Sequence, residues 1–560
     1  MFSLLRAIVG YTVPPTFLIV LLWVAGKLFQ RSITPSDVPW LFRKKGVLAQ
    51  GLERLLAIDS TRSMHDGYTK YAKNEQPFIL PSALEGDQVL IPKEYVGSIL
   101  HRKEGDVSFK AHLDELFQIK YTSLPYLYEI YDIVVKLISK DMTKLLENRL
   151  VAEALSKEAR ACLIELWGED TENWIEMPLN STLEKMTGRL INLLAVGPEN
   201  CKNEALLEDV ISCSNTVVIG STIIKLFPNF LRPPIIELKM AEHLRTIDPA
   251  SNQSEKPESI GTFLDIMIDN TFKAKAKTVL GRRPEDLAYS MFMMTFPGVH
   301  SSGVSGSSCI LDLLSCPPEH EVLEVLREEV QEISSRCQGT WTAEDLRDAQ
   351  LLDSAIKEGL RLNGLNAIAP ARMVSNPDGT TLPNGVHLPY GTHIGIPQWA
   401  IHRDDDIYPN PEQYNPWRFS SDNNSAEWKR QNDMTTVSET YLAFGYGRRT
   451  CAGRYIFAHI FKLLMAEILL NYDIKPIGSR PKVERWGGFQ VPSSTFTVTS
   501  ETATNSRCFH FFATDGRIAR TCHVPCGGSI LLLYLMLIRS LIQRKCFRDG
   551  TRVNHAFAWL

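Results

Sequence analysis

A single cysteine, Cys451, closes a loop that reads Phe444-Gly445-Tyr446-Gly447-Arg448-Arg449-Thr450-Cys451-Ala452-Gly453. Glycines at 445, 447 and 453 let the backbone turn sharply and pass close to a flat ligand. The apolar stretch from Tyr455 to Leu470 predicts a helix after the loop, and a helix N-terminus favours thiolate over thiol. Arg449, two places before the cysteine, is set to neutralise an anionic group on the same ligand. A shielded, deprotonated cysteine suits one soft metal centre well, a haem iron held by a thiolate. The bland alternative is a structural cysteine buried at a helix start.

The loop matches, at every fixed position, F-G-x-G-x-R-x-C-x-G, the haem-binding signature of the cytochrome P-450 superfamily, the haem-thiolate monooxygenases. Further landmarks stand in the family's order. Glu358 and Arg361 lie three apart on one helix face and match E-x-x-R. Pro416-Trp417-Arg418-Phe419 matches P-x-R-F, whose arginine completes a charged triad with that pair; buried charges need such partners. His402-Arg403-Asp404 matches another landmark, with a structural role expected. The resemblance covers roughly residues 35 to 500 and implies a mainly α fold with small β-sheets (α+β) in one domain. It implies that Cys451 holds the iron, that Phe444 shields the sulfur, and that Gly445, Gly447 and Gly453 admit the porphyrin. Arg449, Arg372 and Lys136 are expected at the haem propionates.

On the other side of the haem, the resemblance places a long helix between Asp286 and Glu332, with Phe296-Pro-Gly298-Val-His300-Ser301-Ser302 at its middle. The widespread pattern there is small-Gly-x-acid-Thr, an alcohol and a carboxylate that conduct protons. Here His300 replaces the acid and Ser301 the threonine. Serine keeps a hydroxyl, histidine relays protons near its ordinary pKa of about 6.5, and a proline in a helix removes a ladder bond. The variant is similar to I-H-T-T motifs of fungal enzymes of secondary metabolism. The competing outcome is a degenerate helix without a relay.

The elements that must position these groups are legible along the chain. Ala7 to Gly26 carry no charge and match a single bilayer crossing, with Arg6 before and Lys27, Arg31, Arg43, Lys44 and Lys45 after. Residues 1–34 are therefore expected to be a membrane anchor, helical over about 7–26, plus linker, with residues 35–500 facing the cytosol. Eukaryotic members of the family are tethered to the endoplasmic reticulum in this way. Phe78-Ile-Leu80 and Gln88-Val-Leu-Ile91 predict a β-hairpin, and Pro92 opens a short helix through Leu100. Phe227-Pro-Asn-Phe230 resembles the roof of the family's substrate pocket. Arg372–Val374, Thr380–Leu388 and His393–Ile396 predict short strands, with Asn384-Gly385 a hairpin turn. His459, on the helix after the cysteine, is expected in the core or on the surface rather than on the iron. Residues 501–560 match nothing recognised and are expected to form an atypical, poorly packed tail.

Composition bounds the function. The 560 residues are 44% hydrophobic and 22% charged with formal net charge -4, so no basic balance suggests nucleic acid. Eleven cysteines show no paired spacing for a disulfide framework or zinc site. No flavin or nicotinamide motif is present, so electrons are expected from NADPH through a separate flavoprotein reductase. Arg448, Arg454 and Lys462 are candidates for its basic docking face. The expectation is a haem-dependent monooxygenase acting with dioxygen on an apolar terpenoid, steroid or polyketide-like molecule in secondary metabolism. The alternatives are a reductase-independent haem isomerase or dehydratase, and a non-catalytic haem-binding protein.

Overall fold

The computed structural model describes residues 23–26, 28–29, 33–41, 46–56, 60–82, 86–122, 127–225, 261–267, 284–421, 425–486, 489–492 and 496–503. The chain divides into two units, Met1–Ser506 and Arg507–Leu560, and all described residues belong to the first. Most of the expected anchor, Phe227–Phe230 and nearly all of the 501–560 tail lie outside the described residues. Among the described residues no helix is long and apolar enough to cross a membrane.

The first strands form as their alternation with turn residues dictates. β1 (Phe78–Leu80) and β2 (Gln88–Leu90) pair antiparallel as a hairpin, fully buried. A 3-10 turn at Lys93–Tyr95 leads into α1 (Val96–Leu100), the short helix expected after Pro92. β3 (Val107–Ser108) runs into α2 (Phe109–Phe117), where the Ser108 hydroxyl caps the Ala111 amide. α3 (Leu127–Lys136), α4 (Leu179–Val196) and α5 (Pro284–Leu314) follow. α5 stays helical through Pro297. α6 (Gln350–Asn363) carries the Glu358–Arg361 pair. β4 (Arg372–Val374), the hairpin of β5 (Thr380–Thr381) with β6 (His387–Leu388), and β7 (His393–Gly395) fall where expected. Gly385, at φ +87°, sits in the left-handed region that the hairpin turn needs. α7 (Arg454–Asn471) follows the cysteine, and strands at Val483–Trp486, Phe489–Pro492 and Thr497–Thr502 close the described chain.

Five strands make one mixed sheet in the order β1-β2-β7-β4-β3. β2 and β7 run parallel, Gln88 opposite His393, so the amino-terminal hairpin is completed by a strand from far along the chain. One apolar core packs around this sheet, with Phe78, Ile79, Leu90 and Ile396 fully enclosed. A larger one lies among the helices, where side chains such as Phe461 and Trp341 are fully buried. Each such aromatic or aliphatic side chain contributes about 1.5–3 kcal/mol.

Small residues let α5 lie against its neighbours. A Cβ at Gly303 would stand 2.9 Å from the Glu184 Cα of α4, and one at Gly306 would stand 2.6 Å from the Phe461 ring of α7. A Cβ at Gly359 on α6 would meet Cys309 of α5 at 2.9 Å. The backbone of α5 is therefore held tightly among three helices.

Candidate haem-thiolate site

The cysteine loop is built by its glycines and by α1. Gly445 and Gly447 both adopt φ +74°, and a Cβ at Gly447 would collide with the Leu100 carbonyl oxygen at 2.7 Å. The Cys451 amide donates to the Phe444 carbonyl (2.8 Å) and folds the loop back on itself. Arg448 donates to the His101 carbonyl (2.8 Å), and Tyr446 meets the His101 ring edge-on at 5.4 Å. Phe444 packs against Phe457 on α7 with ring centroids 5.8 Å apart.

Cys451 is a free thiol whose side chain is exposed at the end of the loop. Desolvation pushes its thiol above the ordinary value, while the amides of Gly453 and Arg454 and the Arg454 charge pull it down. The helix N-terminus therefore acts in the expected direction, but desolvation outweighs it. A bound metal removes this obstacle, because a coordinating thiol is deprotonated outright. Beside the cysteine, a Cβ at Gly453 would meet nothing within 4 Å.

Two arginines converge near this loop. Arg449 donates to Glu104 (3.1 and 3.2 Å) and to Asp132 on α3 (2.9 Å), and lies 5.6 Å from the Tyr131 ring centre. Arg372, on β4, is 2% exposed; its Nη1 donates to its neighbour's carbonyl, and its Nη2 is buried without a partner. Burial and the nearby Arg449 charge push this guanidinium down to about 10, against the opposing pull of Glu104. A buried cation short of an anion fits a carboxylate-bearing ligand. Lys136 is exposed at the end of α3, one turn beyond the Asp132 that Arg449 uses.

These features fit a haem. Cys451 offers the sulfur, the backbone at Gly453 borders open space, and the unpartnered Arg372 Nη2 offers positive charge for its carboxylates, whereas Arg449 is already held by Glu104 and Asp132. His112 on α2 is a group that the sequence did not single out. Burial, with His393, Arg372 and Lys225 nearby, pushes it down to about 3, and its Nδ1 is enclosed without a partner. It lines a cavity with Gln88, Leu116, Ile368 and Phe489, residues drawn from four separate segments.

Around the middle of α5 the partly accessible residues are Met293, Phe296–Gly298, His300, Ser301 and Ser305, with buried residues between them. The Ser301 hydroxyl donates to the Pro297 carbonyl. His300 Nδ1 meets the Glu184 carboxylate of α4. Sequence spacing carried no sign of Glu184; its reach depends on the close helix approach at Gly303.

Behind the cysteine loop the charged triad forms. Arg361 grips Glu358 in a fork (2.7 and 2.8 Å), and Arg418 donates to the same carboxylate at 2.9 Å. The Glu358 and Arg361 side chains have no exposed surface. Arg361 also donates to the His402 carbonyl, while Arg418 reaches the Pro409 carbonyl at 2.7 Å. His402 joins the lock: its Nδ1 donates to the Arg361 carbonyl, and its Nε2 accepts from the Leu442 amide at 2.9 Å.

One expectation is corrected. Lys462 is not on a docking face; it is buried and paired with Asp353 at 2.7 Å, joining α7 to α6. A lysine on this inward face needs a carboxylate to be tolerated there. Arg454 is half-buried and caps the Cys451 carbonyl (3.0 Å), so Arg448 alone of the three stays exposed. His459 is buried in the core, as expected.

Known proteins agree with this site. The family model described as Cytochrome P450 matches residues 234–499. The chain is 27% identical over 496 residues to cytochrome P450 monooxygenase polB of Polytolypa hystricis, covering 83% of this chain and 93% of that protein. It is 29% identical over 460 residues to cytochrome P450 monooxygenase nodZ of Hypoxylon pulicicidum, covering 78% and 86%. It is 26% identical over 529 residues to cytochrome P450 monooxygenase okaG of Penicillium ochrochloron, covering 85% and 96%. The family-model match thus spans the cysteine loop and the charged triad, and the chain is similar to cytochrome P450 monooxygenases of fungi.

Proposed function

We propose that this chain is a haem monooxygenase that hydroxylates or otherwise oxidises an apolar terpenoid, steroid or polyketide-like molecule in secondary metabolism. The observation that carries the reading is Cys451, an exposed free thiol at the end of the glycine loop, backed by a fully buried charge lock. Haem, when bound, supplies activation of dioxygen and insertion of one oxygen atom into a carbon–hydrogen bond.

The chain's own residues do the rest. Cys451 would hold the iron, and Arg372, together with Arg449 if it leaves Glu104 and Asp132, would hold the propionates. Gly445 and Gly447 shape the loop in backbone conformations that other residues resist. The Ser301 hydroxyl and the His300 imidazole hold and pass protons on the opposite side.

Electrons come from NADPH through a separate flavoprotein reductase, for which the exposed Arg448 offers a docking charge. The uncharged run from Ala7 to Gly26 supports a single-pass tether to the endoplasmic reticulum membrane with the catalytic domain in the cytosol. Among the described residues Phe29, Ile33, Leu48 and Leu52 expose apolar side chains, as a surface that meets a membrane would. Glu184 beside His300 returns a carboxylate to the distal helix and weighs against the isomerase alternative.

The test is a reduced carbon monoxide difference spectrum of wild type and Cys451→Ala. Wild type is expected to show the red-shifted band of a thiolate-bound haem and Cys451→Ala to lose it. A wild type without that band overturns the reading. Product formed from a hydroperoxide without reductase, and no NADPH-dependent oxygen consumption with reductase, would replace the monooxygenase by the isomerase.

A further inference from the structure

The carboxylate of Glu184 and the Nδ1 of His300 meet between α4 and α5. Both atoms are shut off from solvent and stand within ion-pair reach of each other, and among the described residues neither is hydrogen-bonded elsewhere. The His300 side chain nevertheless keeps 33% of its surface accessible, against 12% for Glu184. With Nδ1 enclosed, the accessible part of the ring is its other edge, which carries Nε2. An imidazole whose Nδ1 is committed to a carboxylate is fixed in both tautomer and orientation.

The helix contact makes this possible. Gly303 brings the α5 backbone against Glu184 itself, and His300 stands about one turn earlier on the same helix. A larger residue at 303 would push the carboxylate out of reach. The Ser301 hydroxyl lies next to His300 and is tied to the Pro297 carbonyl, on the face of α5 that stays accessible.

We propose that Glu184 is a positioning residue for proton delivery: it accepts the Nδ1–H of His300 and so presents Nε2 to the accessible face of α5 beside Ser301. The acid that the distal motif lacks in sequence is supplied from the neighbouring helix. In each transfer Nε2 first takes a proton from solvent, giving the imidazolium, and then passes that proton toward the reacting side, returning the ring to its neutral Nδ1–H form. Glu184 stays ionised throughout and no electrons move. This rests on the haem monooxygenase reading above.

The test uses the full chain loaded with haem, comparing wild type, Glu184→Gln, Glu184→Leu, His300→Ala and the double variant Glu184→Leu with His300→Ala. All are first checked for the carbon monoxide band, which reports the haem-thiolate reading independently of the relay. Nitrogen NMR of histidine-labelled, reduced and carbon monoxide-bound protein then reads the His300 tautomer, assigned by the signal lost in His300→Ala. Wild type and Glu184→Gln, which keeps an acceptor, should show Nδ1 protonated; Glu184→Leu should show a mixture. Peroxide released per NADPH oxidised, with added reductase and no substrate, should rise about tenfold in Glu184→Leu and in His300→Ala, below what a positioned general acid contributes. The double variant should rise no further than either single one.

A His300 tautomer that is unchanged in Glu184→Leu overturns the proposal and leaves a helix-packing contact. So does peroxide release that responds to His300→Ala and not to Glu184→Leu. If Glu184→Leu does not fold, Glu184→Ala takes its place in the same cycle and the same two outcomes decide.

Discussion

Replacing Glu358 by glutamine removes one negative charge and almost no volume, so its effect isolates the electrostatics of the lock. In wild type the carboxylate accepts the forked pair from Arg361, the Arg418 Nε and the Asn415 amide at 3.1 Å. Arg361 has no exposed side-chain surface, and Arg418 keeps only 10% of its own. A glutamine leaves one oxygen to accept and turns an amide N–H toward a guanidinium, so two nearly dry cations lose their counter-charge. Breaking a buried pair in this way costs about 3–5 kcal/mol. Against a total stability of about 5–15 kcal/mol this is a large share, equivalent to two or more orders of magnitude in the unfolding constant. Arg418→Lys should cost less, because it keeps the charge but loses the fork that ties down Pro409. Urea unfolding of the haem-loaded protein, with the carbon monoxide band followed in parallel, measures both. A loss below about 1 kcal/mol for Glu358→Gln would refute the assignment of the triad as a desolvated network, since exposed pairs are worth about that much.

Gly447→Ala should cost about 1–3 kcal/mol, from its left-handed backbone and the Leu100 carbonyl, whereas Gly453→Ala should leave the apoprotein's melting temperature unchanged and lower haem occupancy. Arg372→Met should raise the melting temperature of the apoprotein, because it removes a buried unpartnered donor worth about 1–3 kcal/mol, and should speed haem transfer to a scavenging globin. Burial pushes His402 down to about 3 and His459 down to about 4. Both folded values lie below the unfolded one near 6.5, so the unfolded chain protonates first. The stability these neutral rings support is complete above about pH 6.5 and declines as pH falls toward 3–4, by about 1.4 kcal/mol per unit for each ring. Urea midpoints measured between pH 7.5 and 5 should show this slope, and His459→Leu should reduce it.

What the sequence revealed and what it hid divide along physical lines. The cysteine loop and the E-x-x-R pair were legible because their geometry is local: glycines at fixed spacing, and two charges three residues apart on a helix. The hairpins at 78–90 and 380–388 were legible for the same reason, through turn residues and strand alternation. Lys462 was misplaced because its partner Asp353 lies 109 residues away, and nothing near a lysine announces that it points inward. Glu184 was invisible because its meeting with His300 depends on Gly303, which reads from sequence as an ordinary small residue in a helix. The cysteine's protonation could not be read either, since helix amides are visible in sequence and desolvation is not. Arg372 showed the converse: the resemblance placed it, and only the structure showed that it lacks an anion.

The parallel pairing of β2 with β7 sets a timetable for the growing chain. Gln88 leaves the ribosome about 300 residues before His393, its partner in the sheet. At ~5–20 residues per second that is a wait of roughly 15–60 s during which the hairpin has an open edge. The loop around Gly447, which rests against Leu100, arrives later still. Neither the sheet nor the haem cradle can be completed until nearly the whole folded unit has been made, so cofactor capture comes at the end of synthesis and the early hairpin needs protection until then.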